Sequence, residues 1–201
     1  VLCNIFIITN EKPLLKYHKD MKYTHISIIG NVFVDYDTRQ CSKLGDLIVT
    51  GLTNKSAGCR YAVSNNEFEL QNMINSVNLK NTPLITSIKL YKKYMFFDNV
   101  DYVPSFPDSS ALNVNEENCS SQLLSLLLAC WCEYNKVFVF GYDIEDLNER
   151  DFLMRVVENN PTTEFFYVRR PNITKIKIFD SIKNLNVMDY KEFTSYAKKT
   201  K

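Results

Sequence analysis

Short apolar runs alternate with longer polar–apolar stretches along this chain. Asn4 to Thr9, His25 to Ile29, Asp46 to Thr50, Lys136 to Phe140 and Glu164 to Val168 are rich in β-branched and aromatic residues. Runs of this kind and length predict buried strands. Arg60 to Ser64, Leu84 to Leu90, Tyr94 to Phe97 and Lys175 to Phe179 predict further, weaker strands. Helices are predicted over Pro13 to Asp20, from a cap at Asn65 or Asn66 to about Val77, after Ser120 and Ser121, over Asn148 to Asn159, and over Asp189 to Lys198. Phe68, Met73, Ile74 and Val77 form the apolar stripe of the second helix. The aromatics Tyr91, Tyr94, Phe96 and Phe97 read as core, because strands favour them. Residues 98–118, with Pro104 and Pro107, form a long polar loop, of the kind that serves as a lid or binding loop. Strands alternating with helices imply the α/β class: a single Rossmann-like domain with a mostly parallel sheet covered by helices on both faces.

The stretch from Asn115 to Asp143 locates a candidate site. A polar loop leads through Ser120 and Ser121 into a Leu-rich helix, then into the strand Lys136 to Phe140, which ends in Gly141-Tyr142-Asp143. Open α/β sheets bind ligands outside the carboxyl ends of strands and at helix N-termini. This stretch supplies one of each.

Composition narrows the chemistry. The 201 residues fit one domain, and the formal net charge of +1 gives no excess of cations for nucleic acid as the main partner. Five glycines, with no GxGxxG and no GxxxxGK[ST], exclude the usual Gly-rich phosphate loops. Cys130 and Cys132 flank Trp131 in a helix, where residues two apart do not share a face, and only His18 and His25 are available as partners. No metal site and no cofactor is expected, and the six cysteines read as free thiols in a reducing cytoplasm. Cys59, between Gly58 and Arg60, is the one thiol whose neighbours favour a lowered pKa. No apolar run is long enough to span a membrane, and the N-terminus carries no basic leader. A cytoplasmic location is therefore expected.

Taken in order, the pieces resemble the bacterial sialyltransferases of glycosyltransferase family 42 and the related motility and lipopolysaccharide glycosyltransferase domains. The resemblance rests on Asn10-Glu11-Lys12-Pro13-Leu14 after the first strand, Asn31-Val32-Phe33 after the second and Lys43-Leu44-Gly45-Asp46 before the third. It continues with Asn115, Cys119-Ser120-Ser121 and Gly141-Tyr142-Asp143. It implies a domain that binds a nucleotide-activated sugar through Asn10, Asn31, Ser120, Ser121 and Asp143, with a glycan acceptor as second partner. The chain departs from the family at several positions: the opening turn has neither Gly nor Ser, Glu117 stands where an Arg precedes the Ser-Gly pair, and no His follows His25. The expectation is a glycosyltransferase-like domain with weak or no transfer. The alternative is a non-catalytic binding or structural module, viral or accessory, that keeps the fold.

Each site residue also has a purely structural reading. Asn10 and Asn31 are natural turn residues, and Ser120 is a natural N-cap. Asp143 suits a cap for the next helix or a partner for Arg150. Tyr142 reads more readily as packing than as a stacking platform. Glu116 and Glu117 in the long loop, and Arg169-Arg170 at a strand end, read as solvated charges.

Overall fold

The computed structural model describes residues 24–30, 38–51, 58–103, 119–142, 146–169 and 177–200. Eight strands form one sheet: β1 (His25–Ile29), β2 (Asp46–Thr50), β3 (Tyr61–Val63), β4 (Leu84–Thr86), β5 (Val100–Tyr102), β6 (Lys136–Phe140), β7 (Glu164–Arg169) and β8 (Leu185–Asp189). Their order is β5-β4-β3-β2-β1-β6-β7-β8, and every pair is parallel. Among the described residues the helices are α1 (Thr38–Leu44), α2 (Glu67–Ile74), α3 (Ile88–Tyr94), α4 (Ser121–Trp131), α5 (Leu147–Glu158) and α6 (Tyr190–Lys199). The fold is the expected Rossmann-like α/β class.

A parallel sheet needs helices on both faces, and the strand pattern meets that need. Ile26, Ile28, Val137, Val139, Phe165 and Tyr167 point to the face that carries α4 and α5. Ile29, Phe138, Phe140, Phe166 and Val168 point to the other, where Phe193 and Ala197 of α6 and Cys41 and Leu44 of α1 cover them. Phe138 stacks on Phe166 at 4.6 Å and meets the edge of Phe193 at 5.5 Å, arrangements that aromatic quadrupoles favour. Helix α4 is buried on nearly every side and mostly apolar, as a helix enclosed by the core must be. Its five leucines are all buried, worth up to about 1.5–3 kcal/mol each.

Polar side chains set the ends of the elements. Asn66 caps α2 by accepting from the Glu69 N–H at 3.0 Å. Asp146 caps α5, accepting from the amides of Asn148 and Glu149 at 2.8 and 3.2 Å. Asp189 and Glu192 form a reciprocal capping box on α6. The Asn184 amide lies 3.0 Å from each of the carbonyls of Val157, Asn160 and Thr163, fastening the end of α5 to the entry of β8.

Several expected elements differ. Strand β4 stops at Thr86, and the rest of Leu84 to Leu90 turns through Ser87 into α3. Tyr94 to Phe97 is the end of α3 and the turn after it, and strand β5 lies inside the stretch read as loop, at Val100–Tyr102. Residues Lys177–Ser181 form a 3-10 turn rather than a strand, and the strand comes later, at Leu185–Asp189. On α2, Leu70 and Met73 are buried while Phe68 faces solvent, and Val77 lies beyond the helix, exposed at the start of a 3-10 turn. The expected Asn4 to Thr9 strand and Pro13 to Asp20 helix lie outside the described residues. The places beside β1 and β6 are held by β2 and β7 as well as by each other.

Cys41, Cys59, Cys119, Cys130 and Cys132 are all free and buried. Burial pushes the Cys59 thiol up to about 11, opposite to the shift expected from its neighbours, and Cys130 and Cys132 up to about 12. The thiolate is the nucleophile, so peptide-resolved mass spectrometry at pH 8 should find these five labelled slowly by a thiol reagent in the native protein and promptly in urea. Prompt native labelling of any one would contradict its burial.

Candidate functional site

From β1 the sheet is built outward to β5. The chain then returns through α4 to lay β6 against the other side of β1. The carboxyl ends of β1 and β6 are thus the topological switch point, where open α/β sheets form their crevice. The two strands pair from His25–Lys136 to Ile29–Phe140, and the Gly30 N–H extends the ladder to the Phe140 carbonyl at 2.8 Å.

Three backbones meet just beyond this pairing. A Cβ on Gly30 would lie 2.7 Å from the Gly141 carbonyl oxygen and 2.9 Å from both the Phe140 oxygen and Gln122 Nε2. Gly141 has φ of 68°, a conformation that side chains disfavour. Gln122, in the first turn of α4, is buried and donates from Nε2 to the Gly141 carbonyl at 3.3 Å. The Tyr142 hydroxyl donates to the Gln122 carbonyl. Burial first, then the Glu149 charge, holds that phenol well above its ordinary value, so it remains a donor. Helix α4 is therefore bolted by its first turn to the ends of both central strands.

The start of α4 is tied to β3 as well. The Asn65 N–H donates to Ser121 Oγ at 2.9 Å, and its side-chain amide donates to the Cys119 carbonyl at 2.7 Å. Ser125 Oγ donates to the Ser121 carbonyl at 2.8 Å. Ser120 is the N-cap, accepting the Leu123 N–H at 3.2 Å. Helix geometry leaves the N–H groups of Ser121 and Gln122 without intrahelical acceptors, at the positive end of the helix dipole. Ser120 Oγ accepts within the protein and keeps its own proton to donate.

Of the five sequence-predicted residues, Ser120 and Ser121 stand at this junction. The Ser121 hydroxyl is buried against Asn65, so its role is to hold the helix. Asn10, Asn31 and Asp143 lie outside the described residues. Asn31 directly follows Gly30, and Asp143 directly follows Tyr142. The helix-cap reading of Asp143 passes to Asp146, which performs that role. Asp151 lies 3.9 Å from Arg150, and the pairing of Arg150 with Asp143 falls outside the described residues. Tyr142 is buried packing, as its structural reading held. Sequence reasoning missed Gly30, Gln122 and Asn65. An isolated Gly after a strand was the available signal for the first, but contacts between distant segments define the other two.

His25 occupies the opposite end of β1 from this crevice. Burial, then the neighbouring Lys136 charge, lowers its pKa. A second polar cluster also lies at the amino ends. Tyr134 donates to the buried Asp46 carboxylate at 2.7 Å, and Arg60 Nε stands 3.6 Å from the same oxygen and 3.2 Å from the Tyr61 hydroxyl it donates to. Burial lifts the Tyr61 phenol to about 12. This cluster joins β2, β3 and the entry to β6 on the side away from the switch point. Among the described residues, no group of three His, Cys, Asp or Glu side chains is placed to hold a metal ion, and no helix is long and apolar enough to cross a membrane.

Compared with known proteins, the chain matches no family model, no curated protein and no solved structure. Its class is therefore set by the fold alone: an all-parallel, Rossmann-like α/β domain.

Gly30→Ala tests the three-way junction. The added methyl meets backbone oxygens, which cannot turn aside as a flexible side chain does. Overpacking of this kind costs about 1–3 kcal/mol. Urea unfolding should show a loss in that range, and a variant as stable as the parent would mean the approach is looser than described.

Proposed function

We propose that this chain is a glycosyltransferase-like domain that binds a nucleotide-activated sugar at the switch point. The observation that carries this reading is the convergence of Gly30, Gly141 and the first turn of α4 at the carboxyl ends of β1 and β6. A nucleotide phosphate at that turn meets the Ser121 and Gln122 amides, the dipole of an eleven-residue helix and the Ser120 hydroxyl. Asn31 and Asp143, each one residue beyond the junction, are assigned to the nucleoside and the sugar or ribose hydroxyls. Asn10 enters through the resemblance alone. In transfer, an acceptor hydroxyl of a glycan attacks the anomeric carbon as the nucleotide leaves. A base takes the acceptor's proton, and donors stabilise the leaving phosphate.

A second reading, a non-catalytic binding module on the same fold, has its own support. Both serine oxygens at the start of α4 already serve the protein's own amides, and His25 is at the far end of β1. Glu117 also takes the place of a cation. The two readings share a bound nucleotide and differ in turnover.

Isothermal titration with nucleotides and nucleotide sugars tests the shared part. Ser120→Ala should weaken nucleotide affinity by about 1 kcal/mol through one lost neutral hydrogen bond. A parent protein that binds no nucleotide at millimolar concentration would defeat both forms of the proposal.

Transfer is expected to be slow. Loss of a positioned base costs about 10²- to 10⁴-fold, and loss of a phosphate-stabilising donor costs a comparable factor. A steady-state assay with the sialic-acid donor and a galactoside acceptor should give less than roughly one turnover per second. Faster turnover would show that another residue serves as the base.

A further inference from the structure

The end of α3 exposes three consecutive large apolar side chains. Met95 is 53% exposed, Phe96 86% and Phe97 45%, and Phe68 at the start of α2 is 72% exposed. These four form one surface. Gln71, one turn after Phe68 and on the same face of α2, donates to the Tyr94 hydroxyl at 2.6 Å, and the Tyr94 ring lies 6.4 Å from that of Phe97. Glu67 fastens the two helices by accepting from Lys93 and Tyr94, both at 3.0 Å. Isolated exposed apolar residues are ordinary in folded proteins, but three exposed phenylalanines in one place mark an interaction surface.

Its extent and its charge identify the partner. The exposed parts of the three rings amount to about two whole Phe side chains, roughly 300–500 Å², and Met95 adds to this. A standard interface buries about 800 Å² on each partner, of which about 60% is apolar. The patch therefore matches the apolar centre of one such interface. Lys89, Lys92 and Lys93 stand beside Glu67, Glu69 and Asp98, so the surface has no net charge to favour anionic headgroups or nucleic acid. Lys93 is used by Glu67, and Glu69 by Ser64. Lys92 and Asp98 are exposed, have no partner among the described residues, and flank the run from Met95 to Phe97. An added strand is also disfavoured. The Leu84 N–H donates to the Asn99 carbonyl and the Val103 N–H to the Thr86 carbonyl, so Val100 and Tyr102 point to the free edge of β5. Their N–H groups already donate, to the Phe97 carbonyl at 3.0 Å and to the Asp101 carboxylate at 2.9 Å.

We propose that this surface joins two copies of the chain in a two-fold dimer. A two-fold interface sets one patch against itself, so the patch must be complementary to its own reversal. An apolar centre meets this condition when the charges on its two sides are of opposite sign. The two-fold lays Lys92 of each copy on Asp98 of the other, with the Phe96 and Phe97 rings of both copies packed between the two ion pairs. Aromatic anchors at the centre and charges at the rim are the usual anatomy of such a contact. The surface is built on α2 and α3, and the nucleotide crevice lies at β1, β6 and α4, so dimerisation and nucleotide affinity are separable by mutation.

Sedimentation velocity of the full chain tests the proposal. An interface of this size has a dissociation constant of about 1 μM or tighter, so the parent should sediment as a dimer at about 20 μM. Phe96→Ala should weaken the dimer about a hundredfold, since each dimer loses two rings. Lys92→Glu and Asp98→Lys should each weaken it about tenfold, because each sets like charges against one another. Mixing these two variants, or combining both changes in one chain, should restore the dimer, because opposite charges again meet across the two-fold. All three residues are exposed, so circular dichroism should match the parent. A parent that stays monomeric at about 0.1 mM would overturn the proposal. So would a dimer unaffected by Phe96→Ala, charge variants that mixing does not restore, or a monomer that floats with phosphatidylserine vesicles by way of Phe96.

Discussion

The pairing of β1 with β6 is the contact on which the rest of the molecule depends. It joins segments more than a hundred residues apart in the chain, and it is made five residues deep, from His25 against Lys136 to Ile29 against Phe140. Without it the sheet falls into two parts, β1 to β5 and β6 to β8, each exposing an apolar edge strand. Parallel strands cannot be joined by a tight turn, so the pairing requires a crossover. Helix α4 provides it and is buried by it.

The same constraint makes the crevice. Two central strands must stop at the same level, and the crossing helix must begin there. Gly30 permits this approach because it lacks a Cβ, and Gly141 because it accepts a positive φ. Gln122, Tyr142 and Asn65 then satisfy the polar groups that the junction buries. The close approach of three backbones and the buried first turn of α4 follow from packing before any ligand is considered. For this reason the proposed nucleotide site and the stability of the fold share residues.

The amino end of the sheet is organised by different physics. Asp46, Arg60, Tyr61 and Tyr134 form a largely buried polar cluster whose hydrogen bonds hold β2, β3 and the α4–β6 turn together. Next to it Lys136 reaches Glu164 at 3.0 Å and the Tyr196 hydroxyl at 2.9 Å, linking β6, β7 and α6. One end of the sheet is thus tied by side-chain networks, while the other is tied by the first turn of α4.

The strands at the centre were legible in the sequence because parallel strands buried on both faces must be nearly continuous apolar runs. Lys136 to Phe140 is apolar on both faces after its first residue, His25 to Ile29 is interrupted only by the small, buried Ser27, and the predicted bounds are the observed ones. Ser120 was legible for a similar reason, since an N-cap is a local device read from one residue before a helix. The outer elements were not. Leu84 to Phe97 is a strand, a helix and a turn, and its short apolar groups fit either period until β5 and α2 are in place to bury some and leave others exposed. Phe96 shows this most plainly: its chemistry suits a core, and only the direction of the chain leaving α3 puts it in solvent. Gly30, Gln122 and Asn65 belong to the same class. Local propensity determined which segments became strands and helices, but the junction exists only where three segments distant in the chain are pressed within contact distance.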